Sequence, residues 1–226
     1  MGEIHREHTV LGHTRIQAKD VPNRPELATI QRLNPDNPLH IQTARALDLA
    51  SPEVINPYTG DHTPLTDEQL KQWMAEEVYI ISPRGSEEPV GYVYLYPDEG
   101  GRLSHIRKTM RNIPQDARIT EFNFWAQKDA KSELVQSGLR QALARFFAEP
   151  TPPRYAIMYV EPEDMMDAKL LEKVGGRRIG DISYDAPGTT EGPMDMVYLV
   201  DAAHFVAASR ATSFPSSYPQ GQTTGL

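Results

Sequence analysis

Apolar positions in the second half of the chain follow two alternating rhythms. Residues 78–82 and 90–96 are rich in apolar and aromatic side chains. Between them lies Pro83-Arg84-Gly85-Ser86-Glu87-Glu88-Pro89, a stretch bounded by prolines and holding a glycine, so a β-hairpin is predicted. In its second strand Val90, Tyr92, Tyr94 and Tyr96 fall on one face, and Gly91, Val93 and Leu95 on the other. Ile119-Thr120-Glu121-Phe122-Asn123-Phe124-Trp125-Ala126 reads as an apolar strand carrying one acidic residue. A helix is expected over 132–147, a strand over 155–160 and a short helix over 164–174, ended by Gly175-Gly176. Two more strands follow, the last over 194–200. Such alternation predicts an α/β fold, a mixed and partly parallel central sheet flanked by helices.

The first half is less regular. Residues 14–19 alternate like a short strand, and Pro22 and Pro25 suit a helix near 25–33. Residues 34–64 are rich in Pro, Asn and Asp and read as loop, with a helix at 41–49. Thr66-Asp67-Glu68-Gln69 has the capping-box spacing, so a helix is expected over 67–76. The polar connection 98–118 holds Arg102, His105, Arg107, Lys108, Arg111 and Arg118, the main basic cluster. These boundaries divide the chain into a flexible segment over 1–13, a domain over 14–201 and a tail over 202–226. From Ala207 onward that tail is rich in Ser, Thr, Pro, Gly and Gln and reads as disordered.

Composition narrows the chemistry. A chain of 226 residues can bury a substantial core. The net charge of −8 opposes general nucleic-acid binding, which needs a cationic face. No apolar run approaches the length of a membrane span, and the first residues lack the apolar core of a signal peptide. The absence of cysteine excludes disulfides, thiolate metal sites and cysteine nucleophiles, and fits a cytoplasmic protein. His5, His8 and His13 sit in a polar segment and read as solvated, so no metal site is expected. Nothing in the sequence opposes a homodimer.

In a sheet of this kind, ligands bind beyond the carboxyl ends of strands, beside helix N-termini that suit phosphates. Lys128 and Lys131 would add positive charge before the helix at Ser132; the alternative is that they are solvated loop residues and that Asp129 or Ser132 is an N-cap. Glu121 offers a carboxylate that burial would make more basic. It could equally pair with Arg118 or face solvent. The Tyr92, Tyr94, Tyr96 stripe could line a cleft or pack under helices. Glu161, Glu163, Asp164 and Asp167 could attract a cationic amine or form a solvated helix start.

Four stretches in this order resemble the GNAT superfamily of N-acetyltransferases over about residues 14–201. Residues 89–95 resemble its third strand, 119–126 its fourth and 154–160 its fifth. Residues 164–176 resemble its helix and turn Asn-x-x-Ala-x-x-Leu-Tyr-Glu-Lys-x-Gly-Phe. The resemblance implies acetyl transfer from acetyl-CoA to an amine on a small molecule or protein, by direct attack with Glu121 as base. It implies backbone contacts from Phe124 and Ala126 to the pantetheine arm. The pyrophosphate would lie on the turn at Lys131, Ser132 and Glu133, and Asp164, standing where the family's asparagine does, would be a further cofactor-binding residue. The chain departs from the pattern in four places: residues 128–134 hold no glycine, Asp164 replaces the asparagine, Leu171 replaces a tyrosine acid, and Gly176 replaces the closing phenylalanine. Those departures fit a second reading, a non-catalytic module that binds a protein partner or an acyl-CoA.

Overall fold

A computed structural model describes residues 27–50, 63–97, 103, 116–148, 154–183 and 194–211. Seven strands, β1 (Ala28–Arg32), β2 (Glu77–Pro83), β3 (Gly91–Pro97), β4 (Arg118–Ala126), β5 (Arg154–Val160), β6 (Arg177–Ser183) and β7 (Met194–Asp201), form one sheet. Their order is β1-β2-β3-β4-β5-β7-β6. Every described pair is antiparallel except β4–β5, which is parallel. Five helices are described: α1 (Pro38–Ala50), α2 (Asp67–Ala75), α3 (Ser132–Phe147), α4 (Met165–Lys173) and α5 (Ala202–Ala211).

The two faces of the sheet hold separate cores. On one face α3, α4 and α5 cover the alternate residues Tyr79, Ile81, Val93, Leu95, Phe122, Phe124, Ala156 and Met158. Helix α3 lies close to β2: a Cβ added at Gly138 would come within 2.7 Å of buried Ile81, so only glycine fits there. On the other face α1 and α2 bring Ala44, Leu47, Leu70, Trp73 and Met74 over Val78, Ile80, Tyr92 and Tyr94. A third cluster, with Ile119, Ile157, Val197 and Leu199, continues that face across β4, β5 and β7.

Local chemistry explains the helix starts. Thr66 Oγ accepts from the Gln69 N–H and Gln69 Oε1 accepts from the Thr66 N–H, the reciprocal capping box that the spacing predicted. Helix α2 ends at Ala75, with Glu76 as its C-cap. Between α1 and α2 the fully buried Asp48 accepts from the Leu65 N–H and from Arg45, which also reaches Asp67 at 2.7 Å. This polar link joins the C-terminal half of α1 to the start of α2. Gly175, at φ 93, closes α4 against the His204 carbonyl, where no side chain could pass.

Two expectations are corrected. Residues 28–32 form a strand rather than the helix expected over 25–33. Ala28 and Ile30 point into the α3-side core while Thr29 and Gln31 point out, and pairing with β2 outweighs the helix-start signal of the prolines. Residues 202–211 form helix α5 where the tail was expected to begin. Its alanines favour a helix, and Phe205, Val206 and Ser209 are buried, with the Phe205 ring 5.6 Å from that of Phe147. The segment 1–13, the strand at 14–19, most of the basic cluster over 102–111 and the tail beyond 211 lie outside the described residues. Among the described residues no helix is long and apolar enough to cross a membrane.

Candidate active site

The parallel pair opens partway along its length. The β4–β5 ladder runs from Arg118–Arg154 to Glu121–Ile157, yet β4 continues to Ala126 and β5 to Val160. Strand β3 stays paired with β4 as far as Ala126. Beyond Glu121, then, β4 keeps its neighbour on one side and parts from the other. Backbone alternation shows which groups line the gap. The Gln127 N–H donates to the Val90 carbonyl on the β3 side at 2.9 Å. By the two-residue period, Phe124 and Ala126 present their N–H and C=O groups to the β5 side. The Phe124 N–H donates to Asn123 Oδ1 at 2.8 Å, a local acceptor in place of a strand.

At the far end of β4 the chain enters α3. The Ala130 N–H donates to the Gln127 carbonyl, and the Leu134 and Val135 N–H groups to that of Lys131. Two of the five N–H groups in the 130–134 turn are therefore engaged, leaving those of Lys131, Ser132 and Glu133 at the positive end of the helix. The N-cap is Lys131, with no side-chain cap bond, rather than Asp129 or Ser132. Lys128 and Lys131 are exposed, and so is the Glu133 carboxylate, which opposes an anion at that end.

Glu121 lies where the gap begins, opposite Tyr96 on β3. It is half-buried, with Oε2 out of contact with solvent. Its side chain is on the α1–α2 face, whereas Arg118, three residues earlier, points to the α3 face beside Arg154. The Tyr stripe divides. Tyr92 and Tyr94 are packed beneath Trp73, at 5.5 and 6.2 Å between ring centroids, and the Tyr94 hydroxyl donates to Glu76. Tyr96 remains half-buried beside Glu121. Leu171 is fully buried in the α3–α4 core, so no proton donor comes from there.

Tyr159 was not singled out in the sequence. It lies on β5 two residues past Ile157, the last paired position, on the same face as Glu121 and half-buried across the gap. Alternation within 155–160 placed it on a face, but only the end of the ladder places it at the opening.

Asp164 caps α4, accepting from the Asp167 N–H at 3.2 Å. An aspartate does this as well as an asparagine. Burial, and then the charge and hydrogen bond of Asp164, push the Asp167 carboxyl up to about 7. Asp195 is raised too, by burial and then by Glu161 and Glu163. A carboxyl with a raised folded-state pKa lends stability that is complete below its unfolded value and lost as pH rises through the folded one. Replacing Asp167 with Asn should therefore raise the melting temperature at pH 8 and flatten its decline between pH 4 and 7. The gain should be on the order of 1 kcal/mol after solvent screening. Melts of both proteins across that range are the check; parallel curves would exclude Asp167 as the source.

No protein-family profile and no curated protein sequence matches the chain. Solved structures do. A GCN5-related N-acetyltransferase from Kribbella flavida shares 17% identity at a TM-score of 0.52, covering 79% of this chain and 99% of that one. A GNAT-family acetyltransferase from Streptococcus pneumoniae gives 14% and 0.53, covering 77% and 99%. The putative acetyltransferase yncA from Salmonella typhimurium, solved with acetyl-CoA, gives 9% and 0.52, covering 77% and 93%. The fold of this chain is that of the GNAT acetyltransferases. The mixed, helix-flanked sheet expected from the sequence is present.

Proposed function

We propose that the protein is an N-acetyltransferase that moves an acetyl group from acetyl-CoA to an amine. The observation that carries this reading is the gap in the parallel pair, with Phe124 and Ala126 facing into it and the α3 N-terminus at its far end. A pantetheine arm has amide groups, and these would pair with Phe124 and Ala126 as an added strand does. Asn123 would then yield the Phe124 N–H to the arm. The N–H groups of Lys131, Ser132 and Glu133, with the Lys131 ammonium, would hold the pyrophosphate. Asp164 contributes by fixing where α4 begins beyond β5.

When bound, acetyl-CoA would supply an acetyl thioester whose carbonyl carbon takes the amine nitrogen, the C–S bond breaking and the sulfur leaving with its electron pair to be protonated by the second N–H proton that the nitrogen sheds. Glu121 takes the proton that the ammonium must lose, directly or through a water. Its position at the end of the β4–β5 ladder, where the gap begins, supports that role.

A second reading is favoured by three observations: Leu171 in the core, the lack of glycine over 128–134, and the Glu133 carboxylate at the helix end. It is a module that binds an acyl-CoA or a protein without turnover. Calorimetry with coenzyme A, then an acetylation assay over an amine panel, separates the two readings. Saturable binding with turnover supports transfer, and binding without turnover on any amine supports the module. Lys131→Glu should weaken coenzyme A binding, by an amount that shrinks as salt rises. An unchanged affinity at low salt would remove Lys131 from the site.

A further inference from the structure

Helix α1 turns an uncharged stripe to solvent. Its inner side packs Ile41, Ala44 and Leu47 into the α1–α2 core and buries Asp48. Leu39, Gln42, Ala46 and Leu49 lie on the opposite side and all are exposed, Leu39 at 70% and Leu49 at 61%. The outer side of a surface helix normally carries charge. The charged side chains of α1, Arg45 and Asp48, are instead engaged with each other, with Asp67 and with the backbone of Leu65. His40 is held by the Asn34 N–H and by Gln31.

The stripe has the spacing of a coiled-coil seam. Steps of three, four and three residues separate 39, 42, 46 and 49, the a-d-a-d pattern of a heptad. The pattern is also self-complementary. In an antiparallel pair each a position meets a d position of the other helix. A two-fold axis beside Ala44 would set Leu39 against Leu49 of a second copy, and Gln42 beside Ala46, each contact occurring twice as an isologous interface requires. Leucine meets leucine at both ends, and the small Ala46 leaves room for the Gln42 side chain. Parallel pairing would stack Gln42 on Gln42 and Ala46 on Ala46, one layer crowded and the next hollow.

Charge points the same way. At a net charge of −8, two copies repel one another over much of their surface, and this stripe lets them touch with no like charges opposed. A membrane surface fits less well. An interfacial helix carries Lys and Arg beside its apolar side, and the one arginine of α1 is engaged within the fold.

We propose that the protein self-associates through α1, as an antiparallel two-fold pair with Leu39 of each copy against Leu49 of the other. The inference stands apart from acetyl transfer. A contact of this length is small, so a dissociation constant on the order of micromolar is expected.

Sedimentation equilibrium of the full-length protein is the first test. The mass should rise from monomer to dimer through the micromolar range. Leu49→Glu, which sets a carboxylate against Leu39 of the second copy at both ends, should weaken association by about a hundredfold and leave the melting temperature of the dilute monomer unchanged. The second test reads the register. The chain has no cysteine, so introduced ones report alone. Within one helix positions 39 and 49 are about 15 Å apart, too far for a disulfide. Under mild oxidation the double variant Leu39→Cys/Leu49→Cys should therefore give a covalent dimer, and neither single variant should. A monomer at every concentration overturns the proposal, and a lower melting temperature in its Leu49→Glu variant would show the chain's own residues covering the stripe. A dimer indifferent to Leu49→Glu, or crosslinking in a single variant and not in the double, overturns it as well.

Discussion

Replacing Glu121 with Gln should lower turnover on a confirmed amine by ~10²–10⁴, the usual cost of losing a general base. The variant keeps the shape and hydrogen-bonding capacity of the side chain and cannot take the proton. The deficit should be largest at low pH, where the amine is mostly protonated, and should shrink as rising pH supplies free amine. Coenzyme A affinity should hardly change. The proposed cofactor contacts are backbone groups of Phe124 and Ala126, which alternation places at the gap whatever side chain stands at 121. A pH–rate profile for both proteins, with calorimetry alongside, reads all of this. Wild-type turnover in the Gln variant would take Glu121 out of the mechanism.

The second large effect concerns stability. Phe205→Ala should destabilise the protein by about 3–5 kcal/mol, the range for emptying a buried phenylalanine site. Phe205 is fully buried against Phe147 in the core on the α3 side of the sheet. The midpoint of urea unfolding should fall while its slope holds, since the change adds no unfolded surface. Deleting 202–226 should cost at least as much. A Phe205→Ala midpoint within error of the wild type would show that α5 contributes nothing to the fold.

That helix also shows where sequence reasoning lost information. Residues 202–211 carry two apolar anchors, Phe205 and Val206, among small residues, and the Ser- and Gln-rich run after them dominated the compositional signal. What makes α5 a helix is tertiary: Phe205 packs against Phe147 of α3. Strand β1 was misread for a similar reason. Five residues offer too short an alternation to outweigh two prolines, and its pairing with β2 spans some fifty residues of sequence. By contrast, the capping box at Thr66, the β2–β3 hairpin and the span of α3 depend on neighbours in sequence, and each was legible.

The candidate site was legible in part. Glu121 stood out because an acidic residue inside an apolar strand breaks the pattern. The backbone contacts of Phe124 and Ala126 came from the family resemblance, and the bond from the Gln127 N–H to the Val90 carbonyl is what shows that they face β5. The end of the β4–β5 ladder was not legible, because no local signal says where two parallel strands stop pairing. Tyr159 and Tyr96 stand at the opening only through that geometry. Lys131 as N-cap was hidden for a related reason. Its side chain makes no capping bond, so the usual Ser, Thr, Asp or Asn signal pointed to Asp129 or Ser132 on either side of it.

The central claim is that acetyl-CoA lies in the gap between β4 and β5. Amide hydrogen exchange resolved by residue, with and without millimolar coenzyme A, tests it most directly. Slowed exchange at Phe124, Ala126, Ser132 and Glu133, saturating with ligand, is the result the account predicts. Unchanged exchange at all four, or protection confined to other elements, would contradict it.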